Sequence, residues 1–421
     1  MKIEEIIYKT YDEINSMSRF DLKEMPRKAK WYLRILSWIL SFPETFFVKS
    51  SVNKVNMDGL KGGYIMLCNH NSFVDFKVAT RAIFPRSSSY IVAIDGFIGR
   101  EKLMRDVGCF PTRKFISDSG IVRQIKHSVE VNKQICQIYP EARYSLVGTT
   151  SILPDSLGKL CKLIGHPVVT LISHGHHLRQ PFWNLTKRKV KSTTNMTQIL
   201  TVDDLKSLSV EEINRKIRDA FEYDDYQYQL DNKIKIDFID RAKNLHKVLY
   251  QCPKCKTEFE MDSDTNKIWC KVCNDTHQMD ELGRLHNLEG ETRFPHIPDW
   301  FEWQREMVKK EIASGKYHLE LDVMVDMLPN SSGFYRIGGG KISHSLNGFI
   351  LTIGEGSEKL EVVKSVKSNY GIHLEFDYFG RGDGFSFSTK DDTFYLYPEN
   401  TNYSITKLHF AVEELYIKST K

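Results

Sequence analysis

The chain has no apolar run long enough to cross a bilayer. A spanning helix needs about 20 apolar residues. The most apolar stretch, WYLRILSWILSFPETFFV (Trp31–Val48), carries Arg34 and Glu44, with only nine uncharged residues between them. Met1–Glu24 lacks the apolar centre of a secretory signal, so a cytoplasmic protein is expected. There is no low-complexity tract and no internal repeat, which argues against a disordered tail or a solenoid. Neither sign of charge dominates either, since the formal net charge is only +5.

That charge is unevenly spread. Residues 1–190 hold 29 Lys and Arg against 16 Asp and Glu, and the remainder holds 30 against 38. The N-terminal half should therefore attract anions such as phosphate headgroups, phosphopantetheine carriers, nucleotides or nucleic acid. With 421 residues, 41% of them apolar, the chain can bury a large core and is expected to hold more than one domain. Trp31–Val48 is too short to span, yet rich in Trp, Phe, Leu and Ile, and the basic KEMPRKAK precedes it. This suits a helix lying in a membrane interface beside anionic lipid; the plainer alternative is a buried core helix.

Residues 1–52 read as helical with a break near Pro43. From about 53 to 200, within a domain expected over 53–245, short apolar runs (YIMLCNH, SSYIVAI, KQICQIYPEA, HPVVTLISHG) alternate with helical patterns. That alternation predicts an α/β layer with a mixed or parallel sheet. Ser209 and Glu212 have capping-box spacing at a helix start. DWFEWQREMVKKEIAS predicts a linker helix within 291–316, ended by Gly315. Residues 317–421 alternate in period two between Gly, Asn and Asp turns, which predicts an all-β domain. GRGDGF and RIGGGK lack the context or spacing of phosphate loops and read as β turns.

Eight cysteines fall into two groups. Cys68, Cys109, Cys136 and Cys161 are scattered in apolar surroundings and read as reduced core thiols. Cys252, Cys255, Cys270 and Cys273 form two C-x2-C pairs fourteen residues apart, within 246–290. This is the spacing of a tetrahedral zinc ribbon with four thiolates. Four protein ligands leave no position for substrate, so a structural zinc is expected. Ribbons also occur in nucleic-acid and protein-binding modules, which is a reading of another class. The acidic EFEMDSDTN is a poor phosphate surface, and no nucleic acid is expected as a partner.

In YIMLCNHNSFVDF (Tyr64–Phe76) an apolar run ends in His70, and Asp75 follows five residues later. Five residues on one helix is about 500°, which puts two side chains on different faces. They meet only if His70 lies on the turn before a helix that contains Asp75. His70 would then sit at the carboxyl end of a strand, where α/β sheets place ligands. Asp75 could hold one imidazole nitrogen and leave the other basic. Ser72 and Asp75 also fit a simple capping box. HGHH, with His174, His176 and His177, invites a metal reading, but no carboxylate is close in sequence and a headgroup or structural role is preferred.

NHNSFVD resembles the N-H-x-S-x-x-D block of the glycerophospholipid acyltransferases, which include lysophosphatidic acid acyltransferase. VGCFPTRK (Gly108, Phe110, Arg113), YPEARYS (Pro140, Glu141, Arg143, Ser145) and GHPVVTLISHG (Pro167) resemble that family's later blocks, in the same order. The resemblance covers roughly 53–200. It implies an α/β acyltransferase domain with N-terminal amphipathic helices, followed here by the ribbon and the all-β domain. It further implies His70 as general base oriented by Asp75, with Ser72, Arg113, Glu141 and Arg143 binding substrate. The two arginines would hold an acceptor phosphate. Donor and acceptor would be acyl-CoA or acyl carrier protein and a lysophospholipid, with no other organic cofactor. The enzyme would be peripheral on the inner face of the membrane. The third block is one residue short, with Ala142 where Gly-Thr is usual, which leaves the acceptor open to other lipids or glycolipids.

Overall fold

A run that is apolar on both faces is a strand covered on both sides, and Tyr64–Cys68 is buried at every position. It lies at the centre of the first of three sheets. The structure, a computed structural model, describes residues 6–47, 50–116, 119–354, 359–399 and 402–420. Residues 1–5 and 48–49 of the expected N-terminal anchor lie outside the described residues.

The chain begins with β1 (Ile7–Tyr8), α1 (Tyr11–Asn15) and α2 (Trp31–Phe47). Then follow β2 (Ser51–Val55), β3 (Tyr64–Cys68), α3 (Val74–Ile83), β4 (Ser88–Ala93), α4 (Glu101–Val107), β5 (Cys109–Thr112), α5 (Ser119–Lys126) and β6 (Ile135–Ile138). After these come α6 (Ser156–Ile164), β7 (Val168–His174), the one-turn α7 (His176–Arg179), β8 (Thr193–Leu200), α8 (Val202–Ser207), α9 (Val210–Ala220) and α10 (Asp225–Asp231). The seven strands β2 to β8 form one sheet in the order β2-β8-β7-β3-β6-β4-β5. All neighbours are parallel except β7 and β8. Alternate residues of β3 feed opposite cores: Ile65 and Leu67 join Phe110, Val129 and Val168 on one face, and Tyr64, Met66 and Cys68 join Ala79 and Ala82 on the other. Leu67 pairs with Ile138, and Cys68 with Leu171. The chain therefore leaves β3, β6 and β7 at one common edge. Ser209 and Glu212 do form the capping box that starts α9.

Beyond it, β9 (Met261–Asp264), β10 (Lys267–Cys270), β11 (Thr276–Met279) and β12 (Leu285–Asn287) make a four-stranded antiparallel sheet. Helix α11 (Ile297–Ala313) follows. Next come β13 (Leu319–Met327), β14 (Tyr335–Ser345), β15 (Gly348–Ile353), β16 (Leu360–Lys364), β17 (His373–Glu375), β18 (Gly384–Ser388) and β19 (Thr393–Pro398). They form an antiparallel sheet in the order β16-β15-β14-β13-β19-β18-β17.

Four expectations are corrected here. Residues 317–421 are not all β: the segment ends in the 16-residue α12 (Ile405–Thr420). Its Ile405, Leu408, Val412 and Leu415 recur at helical spacing and are buried. Helix α11 is no mere linker, since it packs on α12 with Phe301 and Phe410 rings 4.6 Å apart. At the N-terminal end, the first described residues do not pack with α2 alone. Strand β1 pairs in parallel with β14 (Ile7 with Tyr335), and Phe20 shares a core with Phe334 and with Tyr395 of β19. Helix α2 also runs through Pro43 without a break. Its outer face leaves Trp31, Ile39, Leu40 and Phe46 exposed. Among the described residues no helix is long and apolar enough to cross a membrane.

Candidate active site

Three loops meet at the common edge of β3, β6 and β7. Asn69 ties two of them, since its side chain donates to Ser173 O at 2.8 Å and accepts from Ser173 N at 2.9 Å. The third is tied through His70, whose carbonyl accepts from Ser145 N at 2.7 Å and whose N–H points to Glu141 Oε1 at 3.3 Å. His70 is thus fixed by its backbone before its side chain does anything.

The side chain lies on the turn between β3 and α3, and Asp75 sits in the first turn of α3. His70 Nδ1 is 3.1 Å from Asp75 Oδ2. The same oxygen accepts from Asn71 N at 2.7 Å and Ser72 N at 3.0 Å, and Asp75 Oδ1 meets His176 Nδ1 at 2.6 Å. Asp75 is 4% exposed. Burial pushes its carboxyl up, but the hydrogen bonds from His176 and His70 outweigh that and hold it below the usual carboxylate range. An ionised carboxylate only accepts, so Nδ1 of His70 carries the proton and Nε2 is left as the basic nitrogen. The imidazole contacts two rings, Tyr139 at 4.3 Å and Tyr144 at 4.0 Å, and its side chain is 23% exposed. Such an arrangement can serve as an oriented base with a carboxylate behind it.

The remaining expected site residues divide. Ser72 lends its backbone to Asp75, while its buried hydroxyl has no hydrogen-bond partner among the described residues, so it does not cap α3. Glu141 stands directly behind His70. It accepts from Ser151 N at 3.0 Å, and Tyr223 OH reaches both Asn71 Oδ1 at 3.0 Å and Glu141 Oε1 at 3.5 Å. Burial pushes its carboxyl up to about 7 against the pull of the Ser151 N–H. Glu141 has no ion pair with Arg143, whose guanidinium is bound to Glu413 of α12. Arg113 donates to Thr393 Oγ1 at 2.8 Å and to the carbonyls of Asp391 and Leu328. The expectation of two guanidiniums free to hold a phosphate is therefore corrected. Both are buried against the C-terminal unit, and Arg143 is neutralised there.

His176, Tyr139, Tyr144 and Tyr223 are the site residues that sequence reasoning did not place. In HGHH, His177 is buried beside Trp183 and Tyr226, its proton affinity lowered to about 3 by burial, and His174 stacks on Tyr228. These histidines form no metal cluster among the described residues.

Cys252, Cys255, Cys270 and Cys273 do come together, with all four Sγ atoms within 4.8 Å of one another. Cys252 and Cys273 are 3.6 Å apart, and Cys255 and Cys270 are 3.7 Å apart. A tetrahedral ion with bonds of about 2.3 Å to sulfur spaces its ligands about 3.8 Å apart, so the four thiols fit one metal ion. Cys252 and Cys270 also belong to the core that contains Trp300 and Phe410.

No protein-family model matches the chain, and no curated protein matches it in sequence. Among solved structures, it is similar to the 1-acyl-sn-glycerophosphate (LPA) acyltransferase PlsC from Thermotoga maritima. That likeness covers 45% of this chain and 79% of the other, at 14% identity and a TM-score of 0.36. It is too slight to speak to activity.

Proposed function

We propose that the chain is an acyltransferase. It moves a fatty acyl group from a thioester, acyl-CoA or acyl carrier protein, to a hydroxyl of a lysophospholipid. The leading acceptor is 1-acylglycerol-3-phosphate, which gives phosphatidic acid. The observation that carries the reading is the His70 imidazole, half-open at the carboxyl edge of the sheet, with its Nδ1 on a buried, ionised Asp75.

In this reading His70 Nε2 takes the proton of the acceptor hydroxyl as its oxygen attacks the thioester carbonyl. Asp75 stabilises the imidazolium that forms. The tetrahedral intermediate collapses, the C–S bond breaks, and the imidazolium returns its proton to the leaving thiolate. No acyl-enzyme is needed. Tyr139 and Tyr144 pack against the ring, and Ser72 and Glu141 shape the acceptor side. The exposed apolar face of α2 supports a peripheral seat on the inner face of the cytoplasmic membrane. The four thiols would hold a structural zinc, which supplies folding free energy to the ribbon and takes no part in the transfer.

A second acceptor class, another lysolipid or a glycolipid, is favoured by one observation: Arg143 is neutralised by Glu413, and Arg113 is spent on Thr393 and two carbonyls. Transfer of labelled acyl groups from acyl-CoA and from acyl carrier protein, to lysophosphatidic acid and a panel of lysolipids and glycolipids, tests both readings. The wild type should transfer to at least one acceptor and His70→Ala should lose on the order of 100-fold or more. Undiminished transfer by His70→Ala would sink the mechanism.

A further inference from the structure

We propose that His176 is a positioning residue for the His70–Asp75 pair, fixing the plane of the carboxylate that orients the base. The proposal rests on the acyl-transfer reading and adds a residue to its site.

The two oxygens of Asp75 are loaded unequally. Oδ2 accepts from His70 Nδ1, Asn71 N and Ser72 N. Oδ1 meets His176 Nδ1 at 2.6 Å. Rotation about the Cβ–Cγ bond is opposed at both oxygens only while His176 is in place. If the carboxylate turned, Oδ2 would move against His70 Nδ1, and the imidazole would follow it or lose its anchor.

His176 is itself held for this task. Gly175 ends β7 with φ of 87°, a conformation that favours glycine, and a Cβ there would lie 3.0 Å from Lys191 O. A second buried carboxylate, Asp225, accepts from Gly175 N and His177 N, each at 2.9 Å, and so grips the backbone on both sides of His176. Asp225 is tied in turn by its own N–H to Gly148 O at 2.8 Å.

A purely space-filling role fits poorly. His176 is 1% exposed, and its Nε2 has no hydrogen-bond partner among the described residues. A buried nitrogen without a partner carries a desolvation cost that an apolar ring of similar size would avoid. What the imidazole supplies that an apolar ring cannot is the Nδ1–H to Asp75.

The test uses the full chain with His176→Phe, which keeps the ring volume, and His176→Asn, which keeps a donor near the position of Nδ1. Thermal melts establish that each variant is folded. With the best donor and acceptor of the panel, His176→Phe should lose about 100-fold in kcat, the scale of a misplacement of about 1 Å, with the acceptor KM within twofold. His176→Asn should recover much of that loss. Proton NMR of 15N-histidine-labelled protein should show two downfield imidazole N–H signals in the wild type. His176→Phe should remove one and move the other. The proposal is overturned if folded His176→Phe keeps the wild-type kcat. It is also overturned if both variants are equally slow while the His70 signal stays put. Full activity in His70→Ala would instead remove the acyl-transfer reading, and the two N–H signals would then decide on their own whether His176 positions Asp75.

Discussion

Replacing Glu413 with glutamine should loosen the C-terminal unit from the mixed sheet far more than the loss of a surface ion pair would. Glu413 is 1% exposed. One of its oxygens takes Arg143 from the loop after β6; the other takes Arg305 of α11 at 2.7 Å, with His409 Nε2 at 3.5 Å. Exposed pairs contribute about 0–1 kcal/mol. Breaking a buried pair on one side strands a charge and costs about 3–5 kcal/mol. Glutamine keeps the shape and one acceptor oxygen, so the lost charge is the main perturbation. At about 2–4 °C per kcal/mol for a unit of 150–250 residues, the corresponding transition should fall by roughly 6–20 °C. The pH dependence offers a second reading of the same number. Burial raises the Glu413 carboxyl, but Arg143, His409 and Arg305 outweigh burial and hold it at about 2 against an ordinary 4.5. At about 1.4 kcal/mol per pH unit this depression is worth about 3 kcal/mol. A depressed carboxylate stabilises above its unfolded value, so that stability is present above about pH 4.5 and is lost as pH falls toward 2. Calorimetry from pH 7 to 2.5 should show the gap between wild type and Glu413→Gln closing below pH 4.5. A gap under 2 °C at pH 7, or one that does not narrow in acid, would refute the reasoning.

Cys252→Ser/Cys255→Ser should lose bound zinc and, because two of the thiols sit in the core with Trp300 and Phe410, destabilise the C-terminal unit as well as the ribbon. Metal analysis with hydrogen exchange checks this, and retention of metal and protection would count against a structural ion. Leu40→Glu should leave the melt unchanged, since Leu40 is exposed, yet weaken sedimentation with anionic vesicles at least tenfold, given about 2 kcal/mol for burying a leucine; equal binding would remove the membrane role of α2. Ala142 holds φ of 55°, a conformation that costs an alanine about 1–2 kcal/mol. Ala142→Gly should therefore be neutral or more stable by up to about 1 kcal/mol in denaturant titration, and a loss above 1 kcal/mol would show that the strain is absent.

What the sequence made legible was local. His70 and Asp75 are five residues apart, and a strand followed by a turn and a helix is enough to make them meet. The C-x-x-C pairs are two-residue knuckles, and a hairpin brings them together. The alternation of YIMLC with helical segments announced the mixed sheet for the same reason. What stayed hidden depends on distant partners. Arg143 and Glu413 are 270 residues apart, Arg113 and Thr393 are 280 apart, and Asp75 and His176 are 101 apart. No periodicity encodes such meetings, because they depend on how strand ends and whole units dock. Helix α12 was masked by its β-rich surroundings, and β1 is only two residues long.

That short strand has a consequence in time. Ile7 and Tyr8 lie against Tyr335 and Arg336, so on a ribosome this strand waits for a partner synthesised more than three hundred residues later. The pairing cannot form until β14 has been made, after the mixed sheet and the ribbon have both been synthesised. Without Ile7 and Tyr8, β14 would keep β13 and β15 as partners and lose only this one.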